Sequence, residues 1–218
     1  MFDYFDRVYC IHLPNPARRT AIETQFARAG IRSVQYIHAK QPMSGLAMSN
    51  MRRSPSGEFG ANLSHVKAIV HAIADGAERP LFLEDDIEFR GDAVSVLDAA
   101  LADVQVDWDV LYMGGHPREP AEWAGRSLVK VGKFSFAESY SINRKALLAF
   151  YDYWADRIGQ HKPMYDFVLG EFAALHKGYC VYPLLTHQPP GFSQIANGED
   201  DKTLLVERGW KQNLSSTR

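Results

Sequence analysis

Short apolar runs alternate with helix-period segments over the first 115 residues, and this alternation constrains the chain more than any other feature. Residues 8–13 read as a strand closed by Pro14-Asn15-Pro16. A helix should follow, with Asn15 as N-cap, Pro16 at its first position and Gly30 just past its end. Ile22, Phe26 and Ala29 fall on one face at amphipathic spacing. Residues 34–37 make a second strand. Residues 41–60, which hold Pro42, Gly45, Pro55, Gly57 and Gly60, read as a loop. A second helix is expected over 63–74, capped by Asn62 and buried through Val66, Ile69, Val70 and Ile73. A strand at 81–83, a helix near 92–102 and a strand at 109–113, ending in Gly114-Gly115, complete the half. Such alternation argues for an α/β sandwich with a mostly parallel sheet.

The second half is less regular. It offers two strands over 128–142, then a helix capped by Asn143 with Leu147, Phe150, Tyr151 and Trp154 on one side. Asp166 opens another helix, residues 179–182 form a last strand, and the chain beyond Thr186 reads as loop.

A chain of 218 residues suits one domain, 1–218. Its net charge of −2 argues against a nucleic-acid partner, which needs a basic footprint. Cys10 and Cys180 lie in apolar runs and read as reduced core residues. No apolar run approaches the roughly 18 residues of a membrane span, and the N-terminus lacks a signal-peptide pattern. A cytoplasmic protein is expected, with peripheral contact at the inner membrane face left open.

Leu81, Phe82 and Leu83 lead directly into Glu84, Asp85 and Asp86. Three adjacent carboxylates repel one another unless a cation or hydrogen-bond donors hold them. Their oxygens suit hard divalent ions that also grip phosphate. The plainer reading is an acidic turn at a strand end. Ligands gather at the carboxyl ends of strands in open α/β sheets, and both this cluster and Gly114-Gly115 lie at such ends.

Other segments carry weaker signals. Gly57-Glu58-Phe59-Gly60 runs into Leu63-Ser64-His65 and could place a helix N-terminus against phosphate, or simply cap the helix. Arg18 and Arg19 follow the first strand and could pair with a diphosphate or face solvent. Asp166 reads equally as an N-cap or as a general base. His187 stands in a proline-rich segment and is weak evidence alone.

Taken in order, these segments resemble glycosyltransferase family 25, the lipooligosaccharide and collagen galactosyltransferase-like enzymes. The resemblance is carried by Leu13 with Arg18-Arg19, Gly57-Glu58-Phe59-Gly60 with Ser64-His65, and Leu83-Glu84-Asp85-Asp86. It continues through Trp108-Asp109-Val110-Leu111-Tyr112, Ser139-Tyr140-Ser141-Ile142-Asn143-Arg144, Pro163-Met164-Tyr165-Asp166, and finally Gln188 with Ser193. His12 replaces the usual Asn before Leu13, and Asn62 replaces a small or apolar residue.

The resemblance implies a GT-A-like nucleotide-sugar transferase sandwich, with 1–115 as a donor-binding half and 116–218 on the acceptor side. It implies inverting transfer of a sugar, galactose by the family's habit, from a UDP-sugar to a glycan, lipid-linked or protein-linked acceptor. Mn²⁺ or Mg²⁺ would be held by Glu84 and Asp86, with His187 as a third ligand. Arg18, Arg19, Gly60, Ser64, His65, Glu84, Asp85, Gln188 and Ser193 become substrate contacts, and Asp166 the base. Residues 41–56 would close over the donor, and Trp123, Tyr151, Trp154 and Tyr165 could stack on sugars. A catalytically silent nucleotide-sugar binder and a metal-dependent phosphoryl or nucleotidyl transferase are the competing readings.

Overall fold

The alternation becomes a three-layer α/β/α sandwich in a computed structural model that describes residues 2–40, 55–103, 107–159, 164–193 and 198–215. The elements begin with β1 (Arg7–His12), α1 (Pro16–Ala29), β2 (Gln35–His38), α2 (Pro55–Ala74), β3 (Pro80–Glu84), β4 (Glu88–Phe89) and α3 (Ala93–Asp103). Next come β5 (Val110–Tyr112), β6 (His116–Pro117), β7 (Glu122–Trp123), β8 (Leu128–Lys130), β9 (Phe134–Ser135) and β10 (Ser139–Ile142). The chain ends with α4 (Arg144–Gly159), α5 (Tyr165–Leu175), β11 (Gly178–Val181), β12 (Thr186–His187), β13 (Gly191–Ser193), β14 (Gly198–Asp200) and α6 (Thr203–Asn213).

Eight strands form the central sheet in the order β2-β1-β3-β10-β5-β11-β8-β7. β2, β1 and β3 pair in parallel, as do β5 and β11, whereas β10 and β8 are antiparallel to both their neighbours. Six strands therefore share one direction. Because strand side chains alternate between faces, each strand feeds two cores. Val8 and Cys10 of β1 join Ile22, Phe26 and Leu97 under α1 and α3. Tyr9 and Ile11 join Ile69, Phe150 and Phe172 under α2, α4 and α5.

Local signals explain α1. The Asn15 side chain accepts hydrogen bonds from the Ala17 and Arg18 amides, Pro16 opens the helix, and Gly30 ends it at φ 73°. Cys10 and Cys180 are buried free thiols, as expected. No helix among the described residues is long and apolar enough to cross a membrane.

Three expectations need correction. α2 begins at Pro55, so Gly57 and Gly60 lie within the helix rather than in a loop. Proline at a first helical position loses nothing, because that N–H has no intrahelical partner. Burial of Val66, Ile69 and Ala72 stabilises the helix against its two glycines, while Val70 points outward. Asn62 is interior: it donates to the Glu58 carbonyl at 3.0 Å and accepts from the Trp154 indole at 3.3 Å. The rest of the expected loop and lid, residues 41–54, lies outside the described residues. In α5 the N-cap is Met164, and Asp166 follows Tyr165 inside the first turn. Beyond Thr186 the chain forms β13, β14 and α6 rather than loop. The leucines Leu204 and Leu205 of α6 are exposed while Gly209 and Trp210 are buried, so its apolar pattern points the wrong way.

The reversal of β10 brings the start of that strand, with Glu138 just ahead of it, to the carboxyl ends of β3 and β5. The Glu84 amide donates to the Glu138 carbonyl at 2.9 Å, and the Met113 amide to the Ser139 carbonyl at 3.1 Å.

Gly170 marks the tightest helix–sheet approach: a Cβ there would overlap the Phe134 carbonyl oxygen and crowd its amide. Gly170→Ala should therefore destabilise the fold by roughly 1–3 kcal/mol through overpacking, although alanine is the better helix former. Chemical denaturation of the variant checks the sign, which helix propensity alone would reverse.

Candidate active site

A cleft of about 230 Å³ opens at the carboxyl ends of β1 and β3. Ile11, Leu13, Ala39 and Ala61 give it an apolar wall, and Glu84, Asp85 and Asp86 lie at its floor. Gln188, Pro189, Pro190, Gly191, Asp200 and Lys202 form the opposite wall. The lining therefore draws on residues 11–86 and 188–202.

The three carboxylates do different work. Asp85 is buried and turned inward: Oδ2 accepts from His12 Nδ1 and the Leu13 amide, both at 2.9 Å, and Oδ1 from Arg18 at 2.9 Å. It braces the β1–α1 junction against β3 while also lining the cleft floor. Glu84 and Asp86 face the cleft and converge on one nitrogen. The Gln188 amide donates to Glu84 Oε2 at 2.6 Å and to Asp86 Oδ1 at 2.9 Å. Arg18 also reaches Asp86 at 3.3 Å. Lys202 in turn donates to the Gln188 carbonyl oxygen, which fixes the orientation of that amide.

His65 is buried and connects this floor to the interior. Its Nε2 stands 3.0 Å from Glu84 Oε1 and its Nδ1 3.1 Å from the Tyr140 hydroxyl, which is 2.8 Å from the Tyr165 hydroxyl. With Glu84 ionised, Nε2 carries the proton; Nδ1 then accepts from Tyr140, and Tyr165 donates to Tyr140. The His65 ring stacks on Tyr165 at 4.3 Å. Ser64 donates to the Gly60 carbonyl and accepts from the Lys40 amide at 2.9 Å, so it anchors the end of β2 beside the cleft.

Electrostatics separates the acids. Burial raises the proton affinity of Glu84, but the hydrogen bond from His65, together with the nearby positive charges of Lys202 and Arg18, outweighs it and holds the carboxyl below its ordinary range. Burial and then the Glu84 charge push Asp86 up to about 6. Glu138, buried beside them, is pushed up to about 8 by burial and by the same charge. Gly114 makes room for it: a Cβ there would overlap Glu138 Oε1 and crowd Thr186 Oγ1.

Several expected residues lie elsewhere. Arg19 pairs with Glu23 at 2.6 Å and stacks on Tyr36, away from the cleft. His187 is exposed and lies 3.9 Å from Glu88, so it does not join Glu84 and Asp86. Gln188, just past β12, takes the inward position instead. The Gly60 carbonyl accepts from Ser64, and the Ser193 side chain lies outside the described residues. Asp166 is half-buried outside the cleft lining. It accepts from the Phe136 amide at 3.3 Å and the Phe167 amide at 3.0 Å, and burial raises its proton affinity. Tyr165 and Trp154 are core residues, Trp123 meets Tyr182 edge-to-face, and Tyr151 packs beside Trp154. Sequence reasoning missed Lys202, whose only local mark is the acidic run before it, and the inward-facing His12.

A divalent cation fits this donor set in one respect and not in another. Among the described residues, no three or more His, Cys, Asp or Glu gather as a metal site. Two carboxylates do converge on a single positively polarised N–H group, and Mg²⁺ or Mn²⁺ commonly takes one or two carboxylates plus water and phosphate.

No protein-family model matches the chain, and none of the curated proteins matches it in sequence. Solved structures similar to it include a glycosyltransferase involved in the glycosylation of the major capsid of PBCV-1. That structure is 10% identical at a TM-score of 0.51, over 86% of this chain and 94% of that one. UDP-glucose pyrophosphorylase complexed with UDP-glucose (10% identity, TM-score 0.45, 80% and 72% coverage) and the galactosyltransferase LgtC (12%, 0.40, 76% and 70%) lie below 0.5 and carry no weight. At such identity the likeness establishes the fold: a GT-A-like α/β/α sandwich.

Glu138 gives the site a pH signature. A carboxyl whose folded pKa is raised adds stability while protonated and loses it as pH climbs from the ordinary carboxyl range, near 4.5, to about 8. Glu138→Gln should then leave stability at pH 5 nearly unchanged and raise it at pH 8, by on the order of 1–3 kcal/mol. Denaturant melts at both pH values, in chelator, check this; equal shifts at both would contradict the raised pKa.

Proposed function

We propose that this chain is a glycosyltransferase that takes a sugar from a UDP-sugar and uses Mn²⁺ or Mg²⁺ between Glu84 and Asp86. The observation that carries the reading is the convergence of those two carboxylates on one amide nitrogen, at a strand end of a GT-A-like sandwich. The apolar wall of Ile11, Leu13 and Ala39 suits a nucleobase, and the charged floor and far wall suit a diphosphate. When bound, the cation supplies Lewis-acid stabilisation of the departing diphosphate. His65 orients Glu84, and Asp85 holds Arg18 beside Asp86.

The ordered resemblance to family 25 adds the finer terms of the proposal: galactose as the sugar, inversion at the anomeric carbon, and a glycan, lipid-linked or protein-linked acceptor met in the cytoplasm. Inversion in one displacement needs a proton acceptor, and Asp166 is proposed for it because burial raises its proton affinity while part of its side chain stays accessible.

Asp86→Asn should abolish Mn²⁺-dependent turnover of UDP-sugars, with the melting temperature retained, since the side chain is a third exposed and outside the core. Glu84→Gln should be weakened less, the outcome expected where Glu84 acts on the cation through a water or meets the ribose. A donor-hydrolysis screen with Mn²⁺ and with chelator reads both, and unchanged Mn²⁺-dependent turnover in Asp86→Asn would sink the assignment.

Asp166→Asn keeps an oxygen for the Phe136 amide but cannot take a proton. Transfer should fall by roughly 10²-fold with donor affinity near wild type. Near-normal transfer would leave Asp166 as the anchor of the Phe136 turn alone.

A further inference from the structure

Lys202 stands at the electrostatic centre of the site, on a wall built from a segment whose sequence reads as loop. It follows β14, which pairs with β13, and its side chain lines the cleft beside Asp200 and Gln188. Its positive charge favours the ionised forms of Glu84, Asp86, Glu138 and Asp166. Yet its hydrogen bond goes to a neutral acceptor, the Gln188 carbonyl oxygen, and its ion-pair carboxylate, Asp200, stands 3.9 Å away. Arg18, in contrast, already pairs with Asp85 and Asp86.

The surroundings aim the ammonium group rather than bury it. Its nitrogen lies 4.8 Å above the Phe136 ring. Phe136 holds a left-handed backbone at φ 70°, with its amide donating to Asp166. A lysine whose hydrogen bond goes to a neutral oxygen in the wall of a polar cleft is placed to exchange that acceptor for an anion. A charge-assisted bond to a phosphate oxygen is about twice as strong as one between neutral groups. The same exchange frees the Gln188 amide, because Lys202 is what keeps its N–H₂ group turned toward Glu84 and Asp86.

We infer that Lys202 binds the diphosphate of the donor, leaving the Gln188 carbonyl oxygen for a phosphate oxygen when the nucleotide enters. The inference rests on the nucleotide-sugar reading of this cleft and adds a specific ligand for the second phosphate. It also gives a function to the Asp166–Phe136 turn, which positions the ammonium group from behind.

The test titrates the full chain, saturated with Mn²⁺, with uridine, UMP and UDP by calorimetry, as wild type and as Lys202→Met. Methionine keeps the length of the stem and its packing on Phe136 but removes the charge. UDP affinity should fall about tenfold in the variant, the loss of one charge-assisted bond, while uridine and UMP change by less than about twofold. Unchanged UDP affinity overturns the assignment. So does a loss for uridine or UMP as large as that for UDP, which would mean the wall itself had been disturbed. A wild-type chain that binds none of the three overturns the nucleotide reading as well, whereas wild-type binding with an unaltered UDP preference in the variant removes Lys202 alone.

Discussion

The site depends on one inward-facing carboxylate. Asp85 gathers His12, the Leu13 amide and Arg18 onto its two oxygens and so ties the end of β1 and the start of α1 to the end of β3. Those donors offset the desolvation of a buried charge. Glu84 ends β3, and in the turn that follows Asp85 points to the β1–α1 junction while Asp86 joins Glu84 at the Gln188 amide. Three adjacent acids thereby become one brace and one pair of converging ligands.

That pair creates a charge problem that the rest of the chain addresses from a distance. Glu84 is steadied by His65, and the Tyr140–Tyr165 hydroxyl pair fixes that imidazole from behind. Asp86 and Glu138 have raised proton affinities because burial and the Glu84 charge both oppose their ionisation. Gln188 and Lys202 arrive from beyond the last strand of the central sheet to place a polarised N–H and a full positive charge against the acids. A cleft with uncompensated negative potential would repel a diphosphate; this one opposes its carboxylates with cations on two sides.

Much of the framework was legible because its signals are local. Asn15, Pro16 and Gly30 bound α1 by capping chemistry that needs no tertiary context, and the apolar run before Glu84 marks β3. The start of α2 was hidden, since Pro55, Gly57 and Gly60 read as loop until the packing of Val66, Ile69 and Ala72 carries the helix back to them. Some of the site was legible in principle through geometry alone. Adjacent helical residues point about 100° apart, so Arg18 and Arg19 could not both face one cleft. Lys202 was not legible as a site residue, because its position depends on the β13–β14 hairpin, and the place of Glu138 beside the acids depends on β10 running against its neighbours.

The division of labour between Asp85 and Asp86 can be read from a single set of thermal melts on wild type, Asp85→Asn and Asp86→Asn, with and without Mn²⁺ and UDP. Stabilisation by a ligand that binds only the folded state reports binding separately from intrinsic stability. Asp85→Asn should melt lower without ligand and still be stabilised on adding both, whereas Asp86→Asn should melt near wild type without ligand and gain no stabilisation. The opposite pattern, an Asp85 variant that folds normally but fails to respond and an Asp86 variant that unfolds early but responds, would contradict the account.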